Sequence, residues 1–176
     1  SKKIEKRDRL DLTDKNSYLF KSWNSNNSPM MPMIQIEHGK NKSTKLWIHT
    51  NNIAERVDLN SKKSLEILSN GFESLPLIND WQNYLSESIR NDSEFKFGEE
   101  NEAISLCLHL NSDNEITDWS FHLTLVKCSL MVESDLTEAL LSRKSKTRIT
   151  SRVLKPIKEY IEDLDRKSTR LNSSHR

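Results

Sequence analysis

Turn-forming and cross-linking residues are scarce in this chain. Among 176 residues there are three glycines, four prolines and two cysteines. So few glycines exclude a glycine-rich loop that cradles phosphates. Cys107 and Cys128 stand alone, with no C-x-x-C and no neighbouring ligand set, which excludes a disulfide framework or a cysteine zinc site. Two reduced, buried thiols in a cytoplasmic protein are expected instead. No apolar run approaches the roughly 18 residues of a membrane span, and the opening SKKIEKRDRL has no apolar core of a signal peptide. No membrane partner is expected. A net charge of +1 gives no global field that announces a polyanion.

What is present is polar: 30% of residues are charged and 34% apolar, enough for one modest core. Residues 1–8 read as a charged lead-in and 9–164 as a single domain, expected to be a monomer. Residues 165–176 read differently. Asp165 to His175, DRKSTRLNSSH, matches letter for letter the in-frame translation of a common sequencing adapter. The tail is expected to be foreign, with the native chain continuing past Leu164. A first residue other than Met points likewise to a start inside a longer protein.

Alternation carries most of the structural signal. Lys15 to Pro32, rich in Asn and Ser, reads as a surface loop. Ile34 and Ile36, then Leu46 and Ile48, alternate with polar or aromatic residues around a Gly/Asn/Lys turn, which predicts a hairpin with Pro32 at its start. Asn60 or Ser61 is expected to cap a helix through Leu65 and Leu68, and Trp81, Tyr84 and Leu85 suggest another from Asp80. In EAISLCLHLN and ITDWSFHLTLV, Ile104, Leu106, Leu108 and Leu110 would face Trp119, Phe121, Leu123 and Leu125 across a two-residue turn at Asp113-Asn114. That register pairs Leu108 with Trp119 and Leu106 with Phe121, and makes this apolar face the expected core. Asp135 and Glu138 resemble a capping box, and Val153, Ile157, Ile161 and Leu164 mark a last helix face. The expected class is α+β: a mostly antiparallel sheet with helices packed on one side.

Candidate chemistry is thin. His109 and His122 share the polar face of the predicted hairpin but lie about 13 Å apart at ~3.4 Å per residue, too far to share a metal ion. Asp8, Asp11 and Asp14, spaced three apart behind lysines and arginines, read as a solvated segment. Lys144, Lys146, Arg148 and Arg152 form a basic run suited to RNA phosphates, though such runs are often merely solvated.

Five stretches taken in order carry a resemblance: RLDLTD, KLWIHTNNIAERVDLNS, ESLPL, ENEAISLCLHLNSDNEITDWSF and SDLTEALLSRK. They resemble consecutive blocks of the RNB catalytic domain of ribonuclease II/R exoribonucleases, over about residues 9–160, with the cyanobacterial and plastid branch looking nearest. The resemblance implies an enzyme that threads single-stranded RNA 3′ end first to a buried site. There, magnesium held by several aspartates activates the water that releases nucleoside monophosphates.

This chain departs from that pattern where the metal would sit. Aligned back from KLWIHT, the family's aspartates fall near Trp23, Pro29, Met31 and Pro32. The whole interval from Lys15 to Ile36 contains no Asp or Glu. Indole, proline and thioether do not replace a carboxylate on magnesium. Asn52 stands where the family has Asp, and Ser74 replaces the Tyr that stacks on RNA before Leu75-Pro76. The expectation is a fragment of a catalytically degenerate homologue, with no catalytic or metal residues and no cofactor of its own. The alternatives are a non-catalytic RNA-binding or protein-interaction domain, or an active enzyme obscured by an error upstream in the sequence.

Overall fold

The computed structural model describes residues 8–21, 30–55 and 87–132, with the shorter pieces 61–62, 65, 69, 74–77, 81–83 and 85. Its main body is a mixed six-stranded sheet. The strands are β1 (Leu10–Asp11), β2 (Ser17–Phe20), β3 (Met33–His38), β4 (Thr44–Asn51), β7 (Glu100–Leu110) and β8 (Ile116–Val132). A separate small hairpin joins β5 (Ser74–Pro76) to β6 (Trp81–Asn83). Strands β2–β3–β4–β7–β8 pair antiparallel in succession, while β1 and β2 run parallel to β8. Because β8 pairs with β7 on one edge and with β2 on the other, the sheet closes into a ring. The expectation of a sheet-rich fold holds. Parallel pairing at β8 makes the sheet mixed, and helices are few among the described residues.

The first hairpin forms where alternation predicts it. Ile34 faces Ile48 and Ile36 faces Leu46, and Pro32 directly precedes β3. Its turn is a short 3-10 segment, Lys40–Lys42, closed by Gly39 N–H donating to Ser43 C=O at 2.8 Å. The second hairpin keeps the predicted pairs Leu108–Trp119 and Leu106–Phe121. Its loop differs. Asn111 N–H donates to Glu115 C=O, so three residues turn rather than two, and Asn114 takes a φ of 63°. A register shift beside His109 absorbs the extra residue, which is why the pairing below it is unchanged.

The buried face is the reverse of the one expected. Ala103, Ser105 and Cys107 of β7, and Thr124, Val126 and Cys128 of β8, are buried. Trp119 and Phe121 on the opposite face are 60% and 64% exposed. Closure explains the inversion. The ring encloses little space, and with Met33 and Trp47 of β3 and β4 already inside, β7 and β8 turn their small side chains inward and their large ones out. Met33, Trp47, Cys107 and Val126 fill the lumen, and Leu12 and Phe95 pack with them. Cys107 and Cys128 are free and buried, as predicted.

Helical expectations divide. Lys62, Leu65 and Ser69 are helical, with Leu65 N–H bonded to Ser61 C=O, in agreement with a start at Asn60 or Ser61. The helix expected from Asp80 is not there: Trp81–Asn83 is strand, and the α-helix begins at Glu87 (α1, Glu87–Ser93). Pairing of β6 with β5 outweighs a short apolar i, i+3, i+4 pattern. The helices predicted around Asp135 and Val153, and the tail 165–176, lie outside the described residues. No described helix is long and apolar enough to cross a membrane.

Candidate functional site

Across the lumen runs a chain of polar side chains, one from each of the five ring strands: Ser17, Gln35, His49, Ser105 and Thr124, all buried. His49 Nδ1 lies 2.7 Å from Ser105 Oγ, and Ser105 Oγ lies 2.6 Å from Thr124 Oγ1. On the other side, His49 Nε2 lies 3.2 Å from Gln35 Oε1, which also accepts from Ser17 Oγ at 3.3 Å. Gln35 Nε2 donates to Glu37 Oε1 at 3.0 Å, and Trp47 Nε1 donates to the same oxygen at 2.8 Å.

These contacts fix the direction of every proton. A carboxylate only accepts, so the amide nitrogen of Gln35 faces Glu37 and its oxygen faces His49. His49 therefore carries its proton on Nε2, and its bare Nδ1 accepts from the Ser105 hydroxyl. Thr124 in turn donates to Ser105. Burial pushes the His49 pKa down to about 4, so the imidazole is neutral near pH 7. Trp47 stacks beside it, with centroids 6.1 Å apart and planes 18° apart, and also meets His122 at 5.4 Å.

Toward the hairpin end the lumen opens. One row crosses it: Glu37, Lys45, His109 and Asp118, each opposite the next. A cavity of about 410 Å³ sits there, lined in part by Glu37, Lys45, His109 and Thr117. Burial raises the Cys107 thiol just below, while Lys45 draws it down and Glu37 and Asp118 push it up. A thiol so held stays protonated and is no nucleophile. His109 and His122 keep the predicted spacing, opposite Asp118 and Ser105 respectively.

At the N-terminus, Arg9 is buried and its Nη2 contacts Glu55 at 2.6 Å and Glu102 at 3.6 Å. Its Nε and Nη1 have no hydrogen-bond partner. Asp11 accepts from both the backbone N–H and the hydroxyl of Thr13, a local turn rather than a cluster with Asp8 and Asp14.

A family model described as the RNB domain matches residues 9–176. The chain belongs to the RNB family. Solved structures agree at the level of fold. RNase R of Mycoplasma genitalium, in complex with ribose-methylated single-stranded RNA, has a TM-score of 0.67 at 16% identity, over 81% of this chain and 22% of that one. Yeast Ssd1, described as a pseudonuclease, has a TM-score of 0.64 at 16% identity, over 82% and 18%. An active-site mutant of the Dss1 exoribonuclease from Candida glabrata has a TM-score of 0.67 at 17% identity, over 91% and 22%. The chain thus spans about a fifth of the length of these relatives. No curated protein sequence matches it. The expected cyanobacterial and plastid branch finds no support in these comparisons.

Of the four residues expected from the sequence at the family's aspartate positions, the structure describes two. Met31 and Pro32 are half-buried just before β3 and offer a thioether and a proline ring. Trp23 and Pro29 lie outside the described residues, as do Lys144, Lys146, Arg148 and Arg152. Among the described residues, no three His, Cys, Asp or Glu side chains come together as metal ligands. Asn52, expected from the sequence to stand where the family has Asp, is buried with its Nδ2 unpartnered. The lumen chain itself escaped prediction. Its members are up to 56 residues apart in pairs such as His49–Ser105, and only their alternation with large apolar neighbours signalled a shared face.

Proposed function

We propose that this chain is part of an RNB-family protein that holds single-stranded RNA without hydrolysing it. One observation carries the reading: the interval from Lys15 to Ile36 has no Asp or Glu, so it offers no carboxylates to a magnesium ion that would activate water there. The RNB match supports the RNA part, together with a relative whose structure holds single-stranded RNA. The likeness to Ssd1 adds a relative described as a pseudonuclease. In this reading Lys144, Lys146, Arg148 and Arg152 supply phosphate contacts, and no step of bond cleavage is assigned to any residue.

The test is to incubate the protein with 3′-tailed single-stranded RNA, with and without magnesium. Salt-sensitive retention without shortening is the expected result. Magnesium-dependent release of nucleoside monophosphates would overturn it. A protein-interaction domain is the second reading, favoured by the exposed Trp119 and Phe121, and it predicts no retention at moderate salt.

A further inference from the structure

Strand β8 pairs with β7 from Ile116 to Lys127, but on its other edge β1 begins only at Thr124 and β2 at Cys128. Residues 116–123 therefore leave one edge without a strand among the described residues. The backbone groups on that edge can be identified. Leu12 N–H donates to Leu125 C=O at 2.9 Å, so residue 125 directs its groups away from β7. The β7 register is unbroken from Asp118 to Lys127, so Trp119, Phe121 and Leu123 do the same. Trp119 N–H agrees, since it donates to the Asp118 carboxylate at 2.8 Å rather than to β7.

We propose that a second copy of this chain pairs with this edge, antiparallel, about a two-fold axis at Ser120. The edge is complementary to itself in that register alone. Trp119 falls opposite Phe121 of the other copy, and Asp118 opposite His122, an aromatic pair beside a carboxylate that can accept from an imidazole N–H. Centring on Trp119 sets Asp118 against Ser120. Centring on Phe121 sets it against Thr124, whose edge β1 already holds. In the Ser120 register the outward groups of Trp119 and Phe121 form the hydrogen-bonded pairs, and Asp118 gives up Trp119 N–H to meet His122.

The surface suits a protein strand better than a nucleic acid. It has no Lys or Arg between residues 116 and 123, and it carries Asp118. Trp119 and Phe121 meet edge to face at 5.7 Å in the open. Unprotected edges of this kind recruit strands. The proposal departs from the single copy expected from the sequence.

The test is sedimentation of the protein over about 1 µM to 1 mM, the range of weak association for so small an interface. Wild type is expected to pass reversibly from one copy to two. Phe121→Pro, which removes an outward N–H and leaves β7 pairing intact, is expected to weaken association at least tenfold. Leu65→Lys, at an exposed site elsewhere, should change nothing. A mixture of Trp119→Cys and Phe121→Cys chains should form disulfide-linked pairs that neither forms alone. A wild type that stays single throughout, a Phe121→Pro variant that associates normally, or a mixture no better linked than its parts would overturn the proposal. So would a single-copy protein whose Trp119 fluorescence is quenched by single-stranded RNA.

Discussion

His49 accepts a hydrogen bond from Ser105 at 2.7 Å inside the strand ring and donates its own proton to Gln35 at 3.2 Å. A neutral imidazole is thus built into the buried part of the lumen. If His49 gained a second proton on Nδ1, Ser105 would turn its hydroxyl toward Thr124. Thr124 would then turn to Ala103 C=O, 3.5 Å away. The hydrogen bonds survive in that arrangement. The burial of a charge is what costs.

Stability should therefore fall with acid. Above about pH 6.5 His49 is neutral in both the folded and unfolded chain. As the pH drops, the unfolded chain takes the proton first, and stability is lost until the folded pKa of about 4 is reached. The full loss from this group is about 3 kcal/mol. Urea denaturation at about pH 7.5 and about pH 4.5 measures it. A His49→Gln variant should lose most of the difference, and one that kept it would place the sensitivity elsewhere.

The inside-out ring makes an unusual prediction about which serine and which phenylalanine matter. Ser105→Leu adds bulk to a filled lumen and strands both His49 Nδ1 and Thr124, so a loss of more than about 3 kcal/mol is expected. Phe121→Ser removes a large apolar side chain that is 64% exposed, and should cost only about 1 kcal/mol. Thermal or chemical denaturation of the two variants decides between this ring and a sheet packed on its apolar face.

That contrast also marks what could be read from residue order. Alternation in EAISLCLHLN and ITDWSFHLTLV was enough to pair Leu108 with Trp119, because one register aligns both patterns. It could not say which face is inside. Hydrophobicity argues for the leucines, whereas closure through the parallel partner of β8 puts Ser105 and Thr124 inside. No local pattern reveals that β2 will pair with residues 128–132, more than a hundred positions away. That the interval from Lys15 to Ile36 holds no Asp or Glu was fully legible, since composition needs no coordinates. The link from Ser17 through Gln35 to His49 was not, because each bond joins different strands.

Arg9 and Glu55 offer a test of asymmetry. Arg9 has a fully buried side chain, while Glu55 and Glu102 keep side-chain exposures of 21% and 29%. Removing a carboxylate leaves a buried cation that already has Nε and Nη1 unpartnered. Removing the arginine leaves carboxylates that reach solvent. Glu55→Ala should therefore cost about 3–4 kcal/mol and Arg9→Met about half of that, by denaturant midpoint. Equal losses would mean that the pair acts as a surface contact.

Asn114 closes the β7–β8 loop at a φ of 63°, a conformation that Asn and Gly tolerate and branched residues resist. Its Nδ2 is buried without a partner, so the side chain adds a small cost of its own. Asn114→Gly should stabilise the chain by about 0.5 kcal/mol, because it keeps the backbone angle and removes the orphaned donor. Asn114→Val should cost about 2 kcal/mol, as it forces the loop toward a two-residue turn. A two-residue turn would also remove the register shift beside His109, moving Thr117 opposite Leu110 in place of Ile116. Backbone amide shifts at Leu110 and Thr117 in the valine variant would report that change, and shifts confined to residues 112–115 would show that the bulge is held by the strands rather than by Asn114.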